Sequence, residues 1–140
     1  MQRPYRLLWN LTRYKLSSDK LDKMFELRER FMVALKERQP NEYPSWPIDL
    51  SDKASQQHCR DMALRGVEEM FEALQHLKNW KPHRVTEVKE FDRSEFVEEV
   101  VDAFNYFLSV LVLTGVTSDE LFEMYQNKDD IIHSRLNSGY

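Results

Sequence analysis

Five carboxylates stand where helical segments have little ordinary use for them. In EFVEEVVDAFNYFLSVLVL (Glu95 to Leu113), Glu98, Glu99 and Asp102 interrupt a run that is otherwise almost wholly apolar from Val97 onward. In RGVEEMFEAL (Arg65 to Leu74), Glu69 and Glu72 lie three apart beside a clear apolar face of Val67, Met70, Phe71, Leu74 and Leu77. An ionised carboxylate beside that much apolar surface needs a partner, because burying it unpaired costs several kcal/mol. The partner can be water, an arginine from another helix, or a divalent cation. A lone Glu-x-x-Glu also describes many solvated helix surfaces. Two antiparallel helices, each offering acids at i and i+3, would instead place Glu69, Glu72, Glu99 and Asp102 around one point. With no His or Cys paired to them these are hard ligands, suited to Mg²⁺ with Mn²⁺ as the alternative. Without metal such a cluster repels itself, and some members should hold protons.

Mg²⁺ held by carboxylates and water typically serves phosphates, which need cationic groups to receive them. Lys81 and Arg84 follow the first acidic segment, and MYQNKDDIIHSRLNSGY near the C-terminus carries Lys128, Arg135 and Tyr140. A solvated basic face is the plainer description of such residues. His58, His76, His83 and His133 share no metal-ligand spacing and read as surface or satisfied polar groups. Cys59 reads as a packing residue rather than a nucleophile.

Four helices must position these groups. Helix 1 is expected from Ser17 or Ser18 as N-cap to about Arg38, with Leu21, Met24, Phe25, Phe31, Met32 and Leu35 at amphipathic spacing. QPNEYPSWP cannot continue it, since proline breaks helices. Helix 2 is expected from Ser51 to about Asn79, with Gly66 inside it marking a kink or a close helix crossing. Helix 3 starts near Asp92 or Ser94, where Asp92 and Glu95 have capping-box spacing, and ends at Gly115 as its C′ glycine. Ser118 caps helix 4, which runs to about Leu136. At about 100° per residue, Glu98, Asp102, Asn105 and Ser109 share a stripe of helix 3, and Glu99 lies roughly 60° beyond Asp102 beside Ala103 and Tyr106.

The whole chain supports that reading. It has 140 residues, 41% hydrophobic and 31% charged, with three Gly and five Pro, which fits one all-α domain at 17–140 behind an arm at 1–16. Short and medium connections between four helices suggest a four-helix-bundle-like core. The net charge of −4 gives no reason to expect nucleic-acid or membrane binding, although the arm mixes arginines with aromatic residues. A single cysteine and no long apolar run suit a soluble, cytoplasmic protein.

Together these residues resemble the all-α NTP pyrophosphohydrolase superfamily, which includes MazG-like enzymes, dimeric dUTPases and phage dCTPase/dUTPases. The resemblance covers about residues 20–140 and is carried by Glu-x-x-Glu at 69–72 and Glu-x-x-Asp at 99–102. Three details favour the dimeric dUTPase branch. Asn79-Trp80-Lys81 is similar to a Trp-Lys element after its first acidic motif. Residues 99–107 resemble its Glu-Leu-Val-Asp-x-x-His-Phe, with Asn105 in the His place. Tyr125, Lys128, Arg135, Gly139 and Tyr140 fall in register with its C-terminal motif. Asp129, Ile132, Leu136 and Arg28 depart from the family pattern, which puts uracil specificity in question and leaves cytosine open.

The resemblance implies Mg²⁺-dependent hydrolysis of a (deoxy)nucleoside triphosphate, first of all dUTP or dCTP, to the monophosphate and pyrophosphate. It implies Glu69, Glu72, Glu99 and Asp102 as catalytic metal ligands, with Glu98 as a further candidate and Glu69 first choice to orient the attacking water. Lys81, Lys128, Arg135 and Tyr140 would hold phosphates, and Asn105 would contact sugar or base. Trp46 or Trp80 would either stack on the base or simply pack. A homodimer or homotetramer is implied as well. A broad MazG-like activity, or a helical interaction protein whose acids only solvate, are the competing readings.

Overall fold

A computed structural model describes residues 18–88 and 90–139. The arm, the Ser17 alternative for the first cap and Tyr140 lie outside the described residues. The described chain is all-α. Its four helices are α1 (Lys20–Arg38), α2 (Lys53–Gln75), α3 (Arg93–Leu113) and α4 (Ser118–Ser138), with no strand among the described residues.

Each helix begins on a side chain that accepts from an otherwise orphaned backbone N–H. Asp19 caps α1 by accepting from Asp22 N, in place of the expected serine. Asp52 caps α2 through Ser55 N, one residue later than expected, while Ser51 turns back onto Asp49. Asp92 accepts from the N–H groups of Ser94 and Glu95, the Asp92 half of the expected capping box. Thr117, not Ser118, caps α4 through Glu120 N. Ser118 Oγ is engaged elsewhere, donating to Asp22 Oδ1 on α1.

The C-terminal ends follow from local chemistry too. α2 stops at Gln75 rather than Asn79. His76 N–H reaches Ala73 O and Leu77 N–H reaches Leu74 O, the tighter bonding that closes a final turn before Pro82. α3 ends at Leu113 with Gly115 at φ +77, the expected C′ glycine, where a Cβ would also come within 3.0 Å of Pro47. No described helix is long and apolar enough on its own to cross a membrane.

The chain divides into two compact units. One holds α1 and α4, with Phe25, Met32 and Val33 buried. The other, Ser45–Gly115, holds α2 and α3 and the segment before them, which is tied to the end of α3 by Ile48 N–H donating to Leu113 O at 2.8 Å. There α2 and α3 run antiparallel: Gly66 faces Tyr106 and Phe107, whereas His76, further along α2, meets Glu99, further back on α3.

The side of α2 turned to α3 is not the one its apolar pattern suggests. Val67, Phe71, Leu74 and Leu77, expected in the core, are exposed, Phe71 by 61%. The buried positions are Gly66 and Ala73, with Ala73 and Ala103 both at 0% exposure. Helix rotation places Val67, Phe71 and Leu74 roughly 90–150° from the Gly66–Ala73 line, so both sets cannot face α3 at once. Close backbone approach selects the small residues. A Cβ on Gly66 would lie 2.9 Å from Phe107 Cε1 and 3.1 Å from Tyr106 Cβ, so Gly66 marks a close crossing rather than a kink.

Gly66→Val should therefore destabilise the protein by about 1–3 kcal/mol through overpacking, read as a lower urea midpoint. In Gly66→Ala a helix-propensity gain of about 1 kcal/mol should offset most of the tighter contact. His58 on α2 supplies a second expectation. Its Nε2 is buried without a hydrogen-bond partner, and desolvation, with Arg65 adding and Asp61 opposing, holds its pKa below 6.5. The unfolded chain thus takes up this proton first as pH falls. The stability tied to neutral His58 is complete above about pH 6.5 and is lost as pH drops toward the lower folded value. Urea titrations from pH 7.5 to 5.5 should show this slope, flattened in His58→Phe.

Candidate metal centre

Glu69 sits one turn from both Gly66 and Ala73, on the α2 line that meets α3. Glu99 and Asp102 stand four residues and one residue before Ala103 on the opposing helix. The close crossing therefore brings their heads together: one carboxylate oxygen from each of Glu69, Glu99 and Asp102 lies within 4.8 Å of the others. Glu69 and Glu99 are half-buried, and Asp102 is exposed at the rim.

Three hard oxygen donors at this spacing fit a small divalent cation in kind. Two oxygens on one Mg²⁺ stand at most about 4.2 Å apart and on Ca²⁺ about 5 Å, from their usual bond lengths. Closing the group onto Mg²⁺ would draw the three oxygens nearer to one another. Water would supply the remaining positions, as is usual for this ion.

The remaining site candidates are distributed unevenly. Glu72 is exposed and is not one of the three converging groups, since it lies roughly 60° further round α2 than Glu69. Glu98 is exposed too, about 100° round α3 from Glu99. Asn105 is half-buried, one turn past Asp102. Lys81 follows α2 in the same unit, its Nζ 5.7 Å from the ring centre of Trp80, which is 70% exposed. Trp46 is 7% exposed, the packing side of its two expected roles. Lys128 and Arg135 are exposed on α4, in the other unit.

One neighbour escaped the sequence analysis. His76 Nε2 lies 4.0 Å from Glu99 Oε1 across the α2–α3 seam. The signal was present in the spacing, because His76 stands two turns beyond Glu69 and one turn beyond Glu72 on α2. His133 does pair locally, at 3.5 Å from Asp129 on the same helix.

Crowding of like charge is visible in Glu69. Its carboxyl is held above 4.5, first by desolvation and then by Glu72, Asp102, Glu99 and Glu68. Comparison of the chain with family models, with curated proteins and with solved structures returns no match.

A raised carboxyl pKa means that the native state holds the proton more tightly than the unfolded chain. The associated stability is present below pH 4.5 and declines as pH rises through the higher folded value, leaving ionised Glu69 unfavourable at neutral pH. In a chelator, Glu69→Gln should raise the Tm at pH 7 and lose that advantage below pH 4. A cation should reverse the ranking. At 100 times its Kd it should stabilise the wild type by about 2.7 kcal/mol and the variant by less, as thermal melts with Mg²⁺ or Mn²⁺ would read.

Proposed function

We propose that this protein is a Mg²⁺-dependent pyrophosphohydrolase that converts a (deoxy)nucleoside triphosphate, with dUTP and dCTP as first candidates, to the monophosphate and pyrophosphate. The observation that carries the reading is the convergence of Glu69, Glu99 and Asp102 from two antiparallel helices. Three of the four acids in the motifs that resemble the all-α NTP pyrophosphohydrolases meet there.

Each residue then has a task. Glu69, Glu99 and Asp102 hold the cation, and Glu72, one turn beyond Glu69 on α2, joins through water or a second ion. Bound Mg²⁺ would neutralise phosphate charge and lower the pKa of a water ligand. Glu69, whose carboxyl already has a raised proton affinity, orients the attacking water and accepts its proton. Lys81 receives phosphate from the same unit, and the resemblance assigns Lys128, Arg135 and Tyr140 the same task. Trp80 offers an open ring for a base, and Asn105 an amide for base or sugar. A reducing cytoplasmic setting suits a chain whose one cysteine, Cys59, is free.

The exposed apolar side chains of α2 and α3, Val67, Phe71, Leu74, Val101 and Phe104, favour a homodimer or homotetramer, because a stripe of that kind is ordinarily covered. The same stripe supports the competing reading of a helical interaction protein without catalysis. A broad MazG-like specificity is the alternative within the enzyme class.

Product analysis separates these readings. With Mg²⁺ and each of dUTP, dCTP, dATP, dGTP and TTP, we expect monophosphate and pyrophosphate in equal amounts. Asp102→Asn and Glu69→Gln should each lower turnover by about 100-fold or more. A flat profile across bases would select the broad activity. Absence of turnover with both Mg²⁺ and Mn²⁺ would sink the enzymatic reading.

A further inference from the structure

We propose that the α2–α3 pair docks face to face on the same pair of a second copy of this chain, through the side opposite its acids. The inference names the face behind the oligomer expected above, and it stands apart from the catalytic reading.

Rotation about each helix separates two faces. On α2, measured from the Gly66–Ala73 line toward α3, Val67, Phe71 and Leu74 lie roughly 90–150° round in one sense, and Glu69 and Glu72 roughly 50–110° in the other. On α3, measured from Ala103, Val97, Val101 and Phe104 lie roughly 100–160° in the first sense, and Glu99 and Asp102 roughly 40–100° in the other. Antiparallel helices are related by a two-fold axis normal to the pair, so one sense of rotation reaches one face on both. The convergence of Glu69 with Glu99 and Asp102 fixes the acidic face. The apolar residues of both helices therefore share the other.

Those side chains are bare within one copy. Leu64, Val67, Phe71 and Leu74 on α2 and Val97, Val101 and Phe104 on α3 are exposed by 40–61%. Both rows run at spacings of three and four, the repeat by which helices interlock side by side. A second copy offers the same repeat in return, as a contact between identical patches requires. The area fits too. About half exposed, the seven side chains present roughly 600 Å² in all, on a scale where one whole aromatic side chain contributes about 150–250 Å². Homodimer interfaces are about 65% apolar, so this corresponds to about 900 Å² per copy, where a standard interface buries about 800 Å². Two copies joined this way also carry their acid clusters on opposite outer faces, so the contact sets no carboxylates against each other.

Sedimentation velocity of the full chain from about 1 to 100 µM reads the contact. The variants are Phe71→Lys, Val101→Lys and Arg65→Ser, the last at an exposed α2 position on the acidic side. We expect a reversible dimer for wild type and Arg65→Ser, weakened about 30-fold or more by each lysine, as for residues near the centre of an interface. Phe71 and Val101 are exposed within one copy, so both lysine variants should keep the wild-type circular dichroism. Should Phe71→Lys unfold, Phe71→Ser, which removes the ring without adding charge, takes its place. A dimer untouched by both lysines overturns the face while an oligomer stands. A wild type that is monomeric at the highest concentration overturns the proposal altogether, and a dimer appearing only after removal of residues 1–16 would give the face to the arm of the same chain.

Discussion

The close approach of α2 and α3 is the constraint on which the rest of Ser45–Gly115 depends. Helix axes separate by about 8–10 Å according to the side chains between them, and only small residues allow the near end of that range. Gly66, Ala73 and Ala103 are those residues here. They are spaced so that carboxylates fall between and beside them: Glu69 between the two on α2, Glu99 and Asp102 to one side of Ala103 on α3. A larger side chain at Gly66 would meet Phe107 and Tyr106 before the acids could come within a few ångströms of each other. Packing and electrostatics therefore oppose one another along a single seam, and packing prevails.

That opposition shapes the chemistry available. Desolvation, and then the like charges drawn together by a seam of small residues, raise the proton affinity of Glu69 and leave the cluster in want of positive charge. A divalent cation would supply it and turn a local repulsion into a ligand field. The cost of the arrangement falls on the other side of the helices. With small residues turned inward, the large apolar side chains of α2 are turned out and stay exposed.

The sequence was most legible where a local rule decides structure. Asp92, Gly115 and the prolines between α1 and α2 marked boundaries because caps, C′ glycines and prolines act through their immediate neighbours. The shifts of a residue or two at Ser18, Ser51 and Ser118 arose where a serine and an acid or threonine stood side by side and either could cap. The inward face of α2 was misread for a different reason. Periodicity shows that an apolar stripe exists, not which of two competing stripes meets the neighbouring helix. Val67, Phe71 and Leu74 outweigh Gly66 and Ala73 in hydrophobicity, yet close approach is a property of the pair of helices, and α3 was not part of that count.

The sequence by itself determined four helices, their boundaries to within a few residues, and the presence of acid-bearing segments on two of them, since each is settled locally along the chain. The tertiary structure decided which carboxylates meet. It set Glu69, Glu99 and Asp102 at one point, left Glu72 and Glu98 at the edge, and brought His76 to Glu99. The physical reason is rotational: residues that share a helix side in projection differ by tens of degrees, and only the seam chosen by Gly66, Ala73 and Ala103 fixes which of those directions points inward.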